Sequence, residues 1–223
     1  WIKKNNIKAE YLKKELTLIE LGEFVNEIKQ KKIAGANITV PFKKSIIPYL
    51  DKLSPDAEKT QSVNTITVEK NNLIGHNTDI FGFEQAFKKF NFSIEKKRVF
   101  ILGAGGVVPS IILALNNMNT SKISVSNRTK EKALSLKDRF EKISVLNWGD
   151  IPEFDIIINA TSLGLKNEII NLDLKNVGQN KIFYDVIYNP SETNFLNTGK
   201  KLGNLSENGK LMFIYQALAS FEL

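Results

Sequence analysis

Lys43 is the first residue of the chain whose type and surroundings suit chemistry at a carbonyl group. It follows the run Asn37-Ile-Thr-Val-Pro-Phe, in which Asn37 and Thr39 place polar side chains on a β-branched predicted strand. A lysine ammonium can polarise a carbonyl or exchange a proton with an alcohol, as hydride transfer requires. Composition alone favours an ordinary surface lysine, so the hypothesis depends on what other segments bring to Lys43.

Asp79 is the second candidate, at the point where Gly75-His-Asn-Thr turns into a predicted helix. Its carboxylate can orient an ammonium group or accept a hydrogen bond from a substrate hydroxyl. The same position also suits an acid that only complements the helix dipole. His76 is the only histidine, and histidine is the usual acid–base residue near neutral pH. We interpret His76 instead as a structural residue at a strand end.

Polar residues at three further places can reach a ligand. Asn64 lies within an otherwise β-prone segment, where its amide can both donate and accept hydrogen bonds. Gln216 lies on a predicted apolar helix, so its amide needs a polar partner. The loop Asn159-Ala-Thr-Ser-Leu-Gly164 follows a predicted strand, and open α/β sheets bind their ligands at the carboxyl ends of strands.

A glycine-rich turn, Gly103-Ala-Gly-Gly106, follows the apolar predicted strand at residues 99–102 and precedes a predicted helix. Small residues let a pyrophosphate approach the backbone at the helix N-terminus, where free N–H groups and the dipole favour anions. Val108 stands at the third glycine position of the dinucleotide fingerprint, which governs helix packing and leaves the phosphate-binding backbone intact. Alone, the turn also fits an ordinary strand–helix connection.

The end of the next predicted strand indicates which dinucleotide binds. NAD sites usually place Asp or Glu there, to hold the ribose 2′-hydroxyl. This chain has Ser126-Asn-Arg-Thr instead, with Arg128 in the expected place and Lys132 one helical turn further on. A planar guanidinium can bind a 2′-phosphate and stack on adenine. The pattern favours NADP over NAD, although an exposed arginine in a turn has the same sequence signature.

Two α/β domains around a cleft, the C-terminal one a Rossmann-like doubly wound parallel sheet, are the architecture that can position these residues. The first 77 residues mix strands and short helices, whereas the later part alternates strand and helix, which is typical of a parallel sheet. Ser54 is expected to cap a helix that begins at Pro55, and Asn71-Asn72 to form a turn. The main predicted elements are strands at 11–16, 36–40, 63–69, 73–76, 99–102, 122–126, 156–159 and 182–186, and helices at 42–50, 79–90 and 130–140.

Composition excludes several classes of function. Cysteine is absent, which rules out disulfides and zinc–thiolate sites, and no metal site is predicted. No apolar run approaches the length of a membrane span. The formal charge is +7, but the lysines are scattered and not interleaved with aromatic residues on one face. We therefore predict a cytoplasmic protein, a monomer or homodimer, with a small-molecule substrate, no nucleic-acid partner and no membrane partner.

Eight blocks of sequence, taken in order, resemble the shikimate dehydrogenase family. They are GANITVPFK, SVNT, GHNTDIFGF, ILGAGG, SNRT, INATSLG, YDVIYNP and GKLMFIYQALASFEL. Each block is weakly specific, but the ordered set spans nearly the whole chain and is highly specific. The resemblance implies an NADP-dependent alcohol dehydrogenase that reduces 3-dehydroshikimate to shikimate in aromatic amino-acid biosynthesis.

The resemblance also implies a role for each matching residue. Lys43 matches the catalytic lysine and Asp79 its partner, and whether Lys43 donates a proton or stabilises an alkoxide stays open. The positions that match ligands of the substrate are Thr39, Asn64, Tyr188 and Gln216. The positions that match cofactor-binding residues are Gly103, Ala104, Gly105 and Gly106 in the phosphate loop, Asn127, Arg128, Thr129 and Lys132 at the adenosine phosphate, and Gly209 and Met212 beside the nicotinamide.

We expect the substrate domain at residues 1–83, completed by the helix at 209–223, and the NADP-binding domain at 84–208. The family begins with a strand and a Ser-Leu-Ser loop that holds the substrate carboxylate, and we expect this chain, which starts at Trp1, to be a segment that lacks them. Three alternatives remain: a quinate/shikimate dehydrogenase that prefers NAD, a non-catalytic NADP-binding module, and a basic nucleic-acid binder.

Overall fold

Two β-sheets and seven α-helices form the described part of the chain in the computed structural model, which covers residues 1–90 and 92–223. The strands are β1 (Ala36–Asn37), β2 (Lys52–Leu53), β3 (Thr65–Glu69), β4 (Asn72–His76), β5 (Arg98–Leu102), β6 (Lys122–Ser126), β7 (Ile143–Leu146), β8 (Ile156–Asn159), β9 (Ile182–Asp185) and β10 (Leu205–Asn208). The helices are α1 (Leu21–Lys29), α2 (Pro55–Thr60), α3 (Asp79–Lys89), α4 (Val108–Asn117), α5 (Lys130–Leu134), α6 (Asn194–Lys201) and α7 (Lys210–Glu222).

The first sheet is mixed and has the strand order β1-β3-β4-β2. β3 pairs antiparallel with both β1 and β4, whereas β2 runs parallel to β4. The β3–β4 turn consists of Lys70 and Asn71, with φ of 48° and 67°. A type I′ turn, which is common in two-residue hairpins, requires positive φ at both of these positions. The predicted position of this turn, Asn71-Asn72, is wrong by one residue, because Asn72 already pairs with Glu69.

Several expected elements are shorter than predicted or absent. Residues 11–16 have no regular structure, and the strand expected at 36–40 ends at Asn37. The helix expected at 42–50 is reduced to a 3-10 turn, Ile47–Tyr49, because Pro48 has no N–H to donate to a helical hydrogen bond. The helix expected at 130–140 ends at Leu134, before another 3-10 turn. The Ser54 cap is confirmed: its Oγ accepts from the N–H of Ala57 at 3.3 Å.

All six strands of the second sheet run parallel, in the order β10-β9-β8-β5-β6-β7. This is the order of a doubly wound dinucleotide-binding fold, with its switch point between β5 and β8. The side chains of β5 alternate between faces: Val99 and Ile101 join one apolar cluster, and Phe100 and Leu102 another. The predicted Rossmann-like sheet is confirmed, with strands buried on both faces.

Helices α3 and α7 pack against each other and connect the two sheets. Met212 of α7 is buried in the apolar cluster of the parallel sheet, whereas Oγ of Ser220 lies 2.7 Å from Oγ1 of Thr65 on β3. A Cβ on Gly82 would lie 2.7 Å from the carbonyl oxygen of Met212 and 2.8 Å from Cβ of Gln216. Only glycine therefore lets the helices approach this closely, and the approach brings Gln216 towards the first sheet.

None of the helices in residues 1–90 and 92–223 is long and apolar enough to cross a membrane. A spanning helix needs about 20 consecutive apolar residues, and α7 has 13 residues.

Candidate active site

The side chains of Lys43 and Asp79 meet although they lie 36 residues apart in sequence. Nζ of Lys43 is 2.5 Å from Oδ2 of Asp79, and the two side chains are 14% and 7% exposed. The carbonyl of Lys43 accepts a hydrogen bond from the N–H of Val63, which holds the Lys43 backbone close to β3. Asp79 is the first residue of α3, so the helix fixes its backbone. Oδ2 of Asp79 accepts a hydrogen bond from one of the three N–H groups of the ammonium.

Asn64 joins this ion pair to α7. Its buried Nδ2 donates to Oδ1 of Asp79 at 3.0 Å and to Oγ1 of Thr78 at 2.9 Å. Oε1 of Gln216 lies 3.4 Å from the same nitrogen. In return, Oδ1 of Asn64 accepts from the N–H of Thr78 at 2.9 Å. Both oxygens of Asp79 thus have a donor. We call Lys43, Asn64, Thr78, Asp79 and Gln216 the polar cluster.

The other two expected substrate residues, Tyr188 and Thr39, lie outside the polar cluster. Tyr188 is 43% exposed and stacks on Phe213 of α7, with ring centroids 4.5 Å apart. Nε2 of Gln216 donates to the carbonyl of Phe213 at 3.0 Å, so α7 connects Tyr188 to the polar cluster. Thr39 is exposed, and its carbonyl accepts from the N–H of Phe42 in the turn before Lys43. Among the described residues, the Thr39 side chain has no hydrogen bond to the polar cluster.

The glycine loop, residues 103–106, connects β5 to α4 at the switch point of the parallel sheet. Gly103 has a φ of 111°, and a Cβ there would lie 2.7 Å from the carbonyl oxygen of Ala160, so this position requires glycine. Gly105 and Gly106 are exposed, and a Cβ at either would meet nothing within 4 Å. Ala104 is half-buried against the core. Open backbone at the start of α4 fits a pyrophosphate.

The loop after β6 carries the residues expected at the 2′-phosphate. Arg128 and Lys132 are exposed, and neither forms an ion pair with another described residue. Nδ2 of Asn127 donates to the carbonyl of Thr129 at 2.7 Å, which closes the loop. β6 lies beside β5, so this loop and the glycine loop share one edge of the sheet. Because no described carboxylate pairs with it, the guanidinium keeps its donors available for a phosphate.

Helix α7 begins in tight contact with the backbone that follows β9. A Cβ on Gly209 would clash with the carbonyl oxygen of Val186, so no larger residue fits. The N–H of Gly209 donates to the carbonyl of Ile187. Met212 is 4% exposed and packs in the core, so its contribution here is chiefly packing. Gly209 therefore lies at the carboxyl edge of the parallel sheet, the edge that also carries the glycine loop.

Asn159 and Asp185 end the neighbouring strands β8 and β9 with a buried hydrogen-bonded pair. Nδ2 of Asn159 donates to Oδ1 of Asp185 at 3.0 Å, and the hydroxyl of Thr193 donates to Oδ2 at 2.6 Å. Burial raises the pKa of Asp185, and hydrogen bonds from Thr193, the N–H of Ile187 and Asn159 oppose that rise. Oδ1 of Asn159 accepts from the N–H of Thr161. Asn159 thus shapes the loop that the sequence marked as a place for ligands.

His76 lies on β4, and its Nε2 is 2.9 Å from Oγ1 of Thr67. Burial lowers the pKa of His76 below the ordinary 6.5, so the neutral imidazole predominates at pH 7. Within the described chain, its ring makes no hydrogen bond to the polar cluster. His76 thus ends β4, as the sequence predicts, and its structural role stays a prediction.

Sequence reasoning missed the hydroxyl groups that support the polar cluster. Oγ of Ser220 lies 3.0 Å from Oγ1 of Thr78 and 2.7 Å from Oγ1 of Thr65. Ser220 follows Gln216 by four residues on α7, and residues with that spacing share a helix face. Two polar residues on one face of an apolar helix are the signal that could have found it.

Two family models match separate parts of this chain. Residues 1–66 match the shikimate dehydrogenase substrate binding domain, and residues 84–186 match shikimate / quinate 5-dehydrogenase. The curated shikimate dehydrogenase (NADP(+)) of Pelagibacter ubique is 52% identical over 222 residues, which cover 99% of this chain and 84% of that protein.

Solved structures are similar over the same extent. Shikimate dehydrogenase from Aquifex aeolicus superposes with a TM-score of 0.92 at 33% identity, covering 99% of this chain and 83% of that one. Shikimate 5-dehydrogenase from Listeria monocytogenes, in complex with shikimate and NAD, superposes with a TM-score of 0.91 at 29% identity, with the same coverage of 99% and 83%.

Proposed function

The chain belongs to the shikimate dehydrogenase family, and on that premise we propose that it catalyses the reversible, NADP-dependent interconversion of 3-dehydroshikimate and shikimate. The observation that carries the proposal is the Lys43–Asp79 pair, held by Asn64 and linked through α7 to the edge of a dinucleotide-type sheet. A cation at a carbonyl oxygen and a bound hydride carrier are the two parts that a carbonyl-reducing enzyme needs.

Lys43 supplies the cation. Its ammonium is largely shielded from solvent, so it interacts strongly with the negative charge that develops on the substrate oxygen during reduction. Asp79 orients the ammonium through one N–H, and Asn64 fixes the other oxygen of Asp79. In the oxidation direction, Lys43 either accepts the substrate hydroxyl proton or stabilises the alkoxide. If Lys43 only stabilises the alkoxide, the hydroxyl proton leaves to solvent instead. Lys43→Arg separates these roles, because a guanidinium keeps the positive charge but cannot accept a proton.

Thr39, Asn64, Tyr188 and Gln216 bind the substrate in this proposal. Amide and hydroxyl groups can donate to and accept from the several hydroxyls of a polyol ring. The contact between Asn64 and Gln216 is long, at 3.4 Å, so a substrate hydroxyl can replace it at little cost. Tyr188 adds a half-exposed ring and hydroxyl at the same end of α7.

NADP is assigned to the carboxyl edge of the parallel sheet, and when bound as NADPH it supplies the hydride. The open backbone of the glycine loop, with Ala104 packed behind it, would hold the pyrophosphate. Arg128 would bind the 2′-phosphate, with Asn127 and Thr129 shaping its loop and Lys132 adding positive charge. Gly209 and Met212 would lie beside the nicotinamide, where Gly209 allows α7 to approach the sheet.

The test is absorbance at the reduced-cofactor band, with shikimate plus NADP compared against quinate plus NAD. We expect the first pair to react faster, and Lys43→Ala to remove that signal. Faster reaction with quinate plus NAD would favour the second candidate, an NAD-preferring quinate/shikimate dehydrogenase, for which the NAD in the Listeria structure is the supporting observation. Cofactor binding without turnover of either alcohol would favour a non-catalytic NADP-binding module.

We further propose a substrate domain at residues 1–83 completed by 209–223 and an NADP domain at 84–208, with the boundary at 83/84 inside α3.

The protein would act in the cytoplasm as a monomer or homodimer, on a small molecule and without a nucleic-acid partner. Light scattering after size-exclusion chromatography measures the assembly. A salt-dependent shift of a labelled oligonucleotide would contradict the absence of nucleic-acid binding.

A further inference from the structure

The buried amide of Asn77 joins segments that the polar cluster does not use. Asn77 is 6% exposed, and its Nδ2 lies 3.0 Å from Oγ1 of Thr60, 2.9 Å from the carbonyl of Ser62 and 2.9 Å from Oγ of Ser110. Its Oδ1 accepts from the N–H of Asp79 at 3.1 Å. A buried amide with partners on several segments holds those segments in one arrangement.

Two of the contacts around Asn77 reach the cofactor side of the molecule. Ser110 is fully buried on α4, the helix that follows the glycine loop. Close by, the hydroxyl of Ser62 donates to the carbonyl of Gly106, in the glycine loop itself, at 3.1 Å. One hydrogen bond therefore runs from the segment around Ser62 and Asn77 to the backbone of the glycine loop, and another runs to the side chain of Ser110 on α4.

The same segment also holds both members of the ion pair. Val63, the neighbour of Ser62, donates its N–H to the carbonyl of Lys43. Asn77 accepts the N–H of Asp79. The glycine loop and the Lys43–Asp79 pair are thus connected through a few buried hydrogen bonds.

We propose that Ser62, Asn77 and Ser110 form a positioning bridge that sets the location of the Lys43–Asp79 pair relative to a dinucleotide on the glycine loop. The proposal rests on the proposed function. Hydride transfer needs the reacting atoms about 3–3.5 Å apart, and a misplacement of about 1 Å can cost on the order of 100-fold in rate. The two reactants would be held by different sheets, so the contact between those sheets controls that distance. The three residues touch neither reactant and act as positioning residues.

The variant Ser62→Ala/Ser110→Ala tests the bridge, because it removes both hydroxyls and leaves the Asn77 amide, the ion pair and the glycine backbone in place. We expect kcat to fall by roughly 10- to 100-fold, with little change in calorimetric Kd for NADP or shikimate. Deuterium at the transferred position should reduce kcat more than in the wild type, because hydride transfer becomes slower relative to product release. If the double variant does not fold, Ser62→Ala alone should change both quantities in the same direction by less.

Asn117→Ala is the matched control. It removes a 2.8 Å hydrogen bond from the far end of α4 to Glu84 on α3, and it should leave kcat and the isotope effect unchanged. An unchanged kcat in the serine variants would overturn the bridge. The bridge would also be overturned if the serine variants lost activity only in proportion to their loss of folded protein and kept the isotope effect of the wild type.

Failure of the proposed function would appear first in the wild type, as no oxidation of shikimate with either cofactor. The bridge is then tested without turnover, by hydrogen exchange at the amide of Asp79, which donates to Asn77. NADP should slow this exchange in the wild type and have a smaller effect in the double variant. Equal slowing in both proteins would overturn the bridge.

Discussion

The polar cluster and the cofactor surface differ in how their polar groups are satisfied. In the polar cluster, shielded side chains hydrogen-bond to one another. On the cofactor surface, exposed groups face solvent; we define this surface as Gly105, Gly106, Arg128 and Lys132. A site that stabilises developing charge works best when its dipoles are already fixed, because no reorganisation is needed during the reaction. A surface that binds a highly charged cofactor works best with free donors, because the ligand satisfies them. Substitutions should therefore affect turnover in the first region and affinity in the second.

The largest effect is expected for Lys43→Ala. Removing the ammonium should lower kcat by about 10²- to 10⁴-fold, the usual contribution of a positioned acid–base group, while KM changes far less. Lys44→Ala removes the neighbouring exposed lysine and should retain near-normal turnover. Steady-state kinetics measure both. Near-normal turnover in Lys43→Ala would refute the assignment of this residue.

Asp79→Asn extends this test to the partner. It should also lose activity, and the Lys43/Asp79 double variant should lose less than the product of the two single losses, because the residues act as a unit. By contrast, His76→Asn should retain most activity, because the ring of His76 hydrogen-bonds to Thr67 and not to the Lys43–Asp79 pair. A collapse in His76→Asn would give that ring a direct role.

Two glycines of one loop should separate folding from cofactor binding. Gly103→Ala places a Cβ against the carbonyl of Ala160 at a φ of 111°, so the free energy of unfolding should fall by on the order of 3 kcal/mol. Gly105→Ala has open space around its Cβ and should unfold like the wild type, but bind NADP more weakly because its methyl occupies the phosphate approach. Urea denaturation and calorimetry measure the two effects. Equal destabilisation of both variants would contradict the division of roles.

Arg128→Ala should weaken NADP binding by on the order of 1.5–3 kcal/mol, the contribution of hydrogen bonds to a charged group. NAD lacks the 2′-phosphate, so its affinity is the internal control and should change little. Calorimetric titration of both cofactors gives the comparison. Equal losses for NADP and NAD would exclude a contact between Arg128 and the 2′-phosphate.

The smallest effect is expected at a salt bridge remote from both regions. Nε and Nη2 of Arg98 donate to Asp155 at 3.1 and 3.0 Å, at the amino end of the parallel sheet, and lower the pKa of Asp155 to about 2. The folded pKa lies below the ordinary 3.8, so the stabilisation is present above that pH and is lost as the pH falls towards 2.

Both partners reach solvent, so Asp155→Asn should lower the free energy of unfolding by only about 1 kcal/mol at neutral pH. The difference from the wild type should vanish in acid, and kinetics should not change. Urea denaturation across this pH range provides the measurement. A difference that persists well below pH 2, where Asp155 is protonated in the folded protein as well, would mean that packing, not charge, is lost.

The parallel sheet could be predicted because its signal is local. The neighbouring strands β5, β8 and β9 each contain a continuous apolar run, such as Ile156–Ile158, as burial on both faces requires. The first sheet could not be predicted in full, because β1 and β2 are two residues long and depend on distant partners. The same holds for the site: Lys43 and Asp79 each stood out by type, but their meeting depends on the turn before Lys43 and the start of α3. Ser62 and Ser110 carry no sequence signal at all, because buried serines look like surface serines.

The position of the single histidine gives this protein a built-in spectroscopic reporter. One imidazole yields one pair of ring C–H signals in a proton NMR spectrum, so assignment needs no labelling. The backbone carbonyl of His76 accepts the N–H of Asn64 at 2.9 Å, so the backbone that carries the ring pairs with the residue at the centre of the polar cluster. Because burial lowers the pKa of His76, the neutral ring predominates at pH 7, and a ligand-induced shift of its signals would report a change around β4. Titrations with substrate and cofactor could thus be followed separately in unmodified protein.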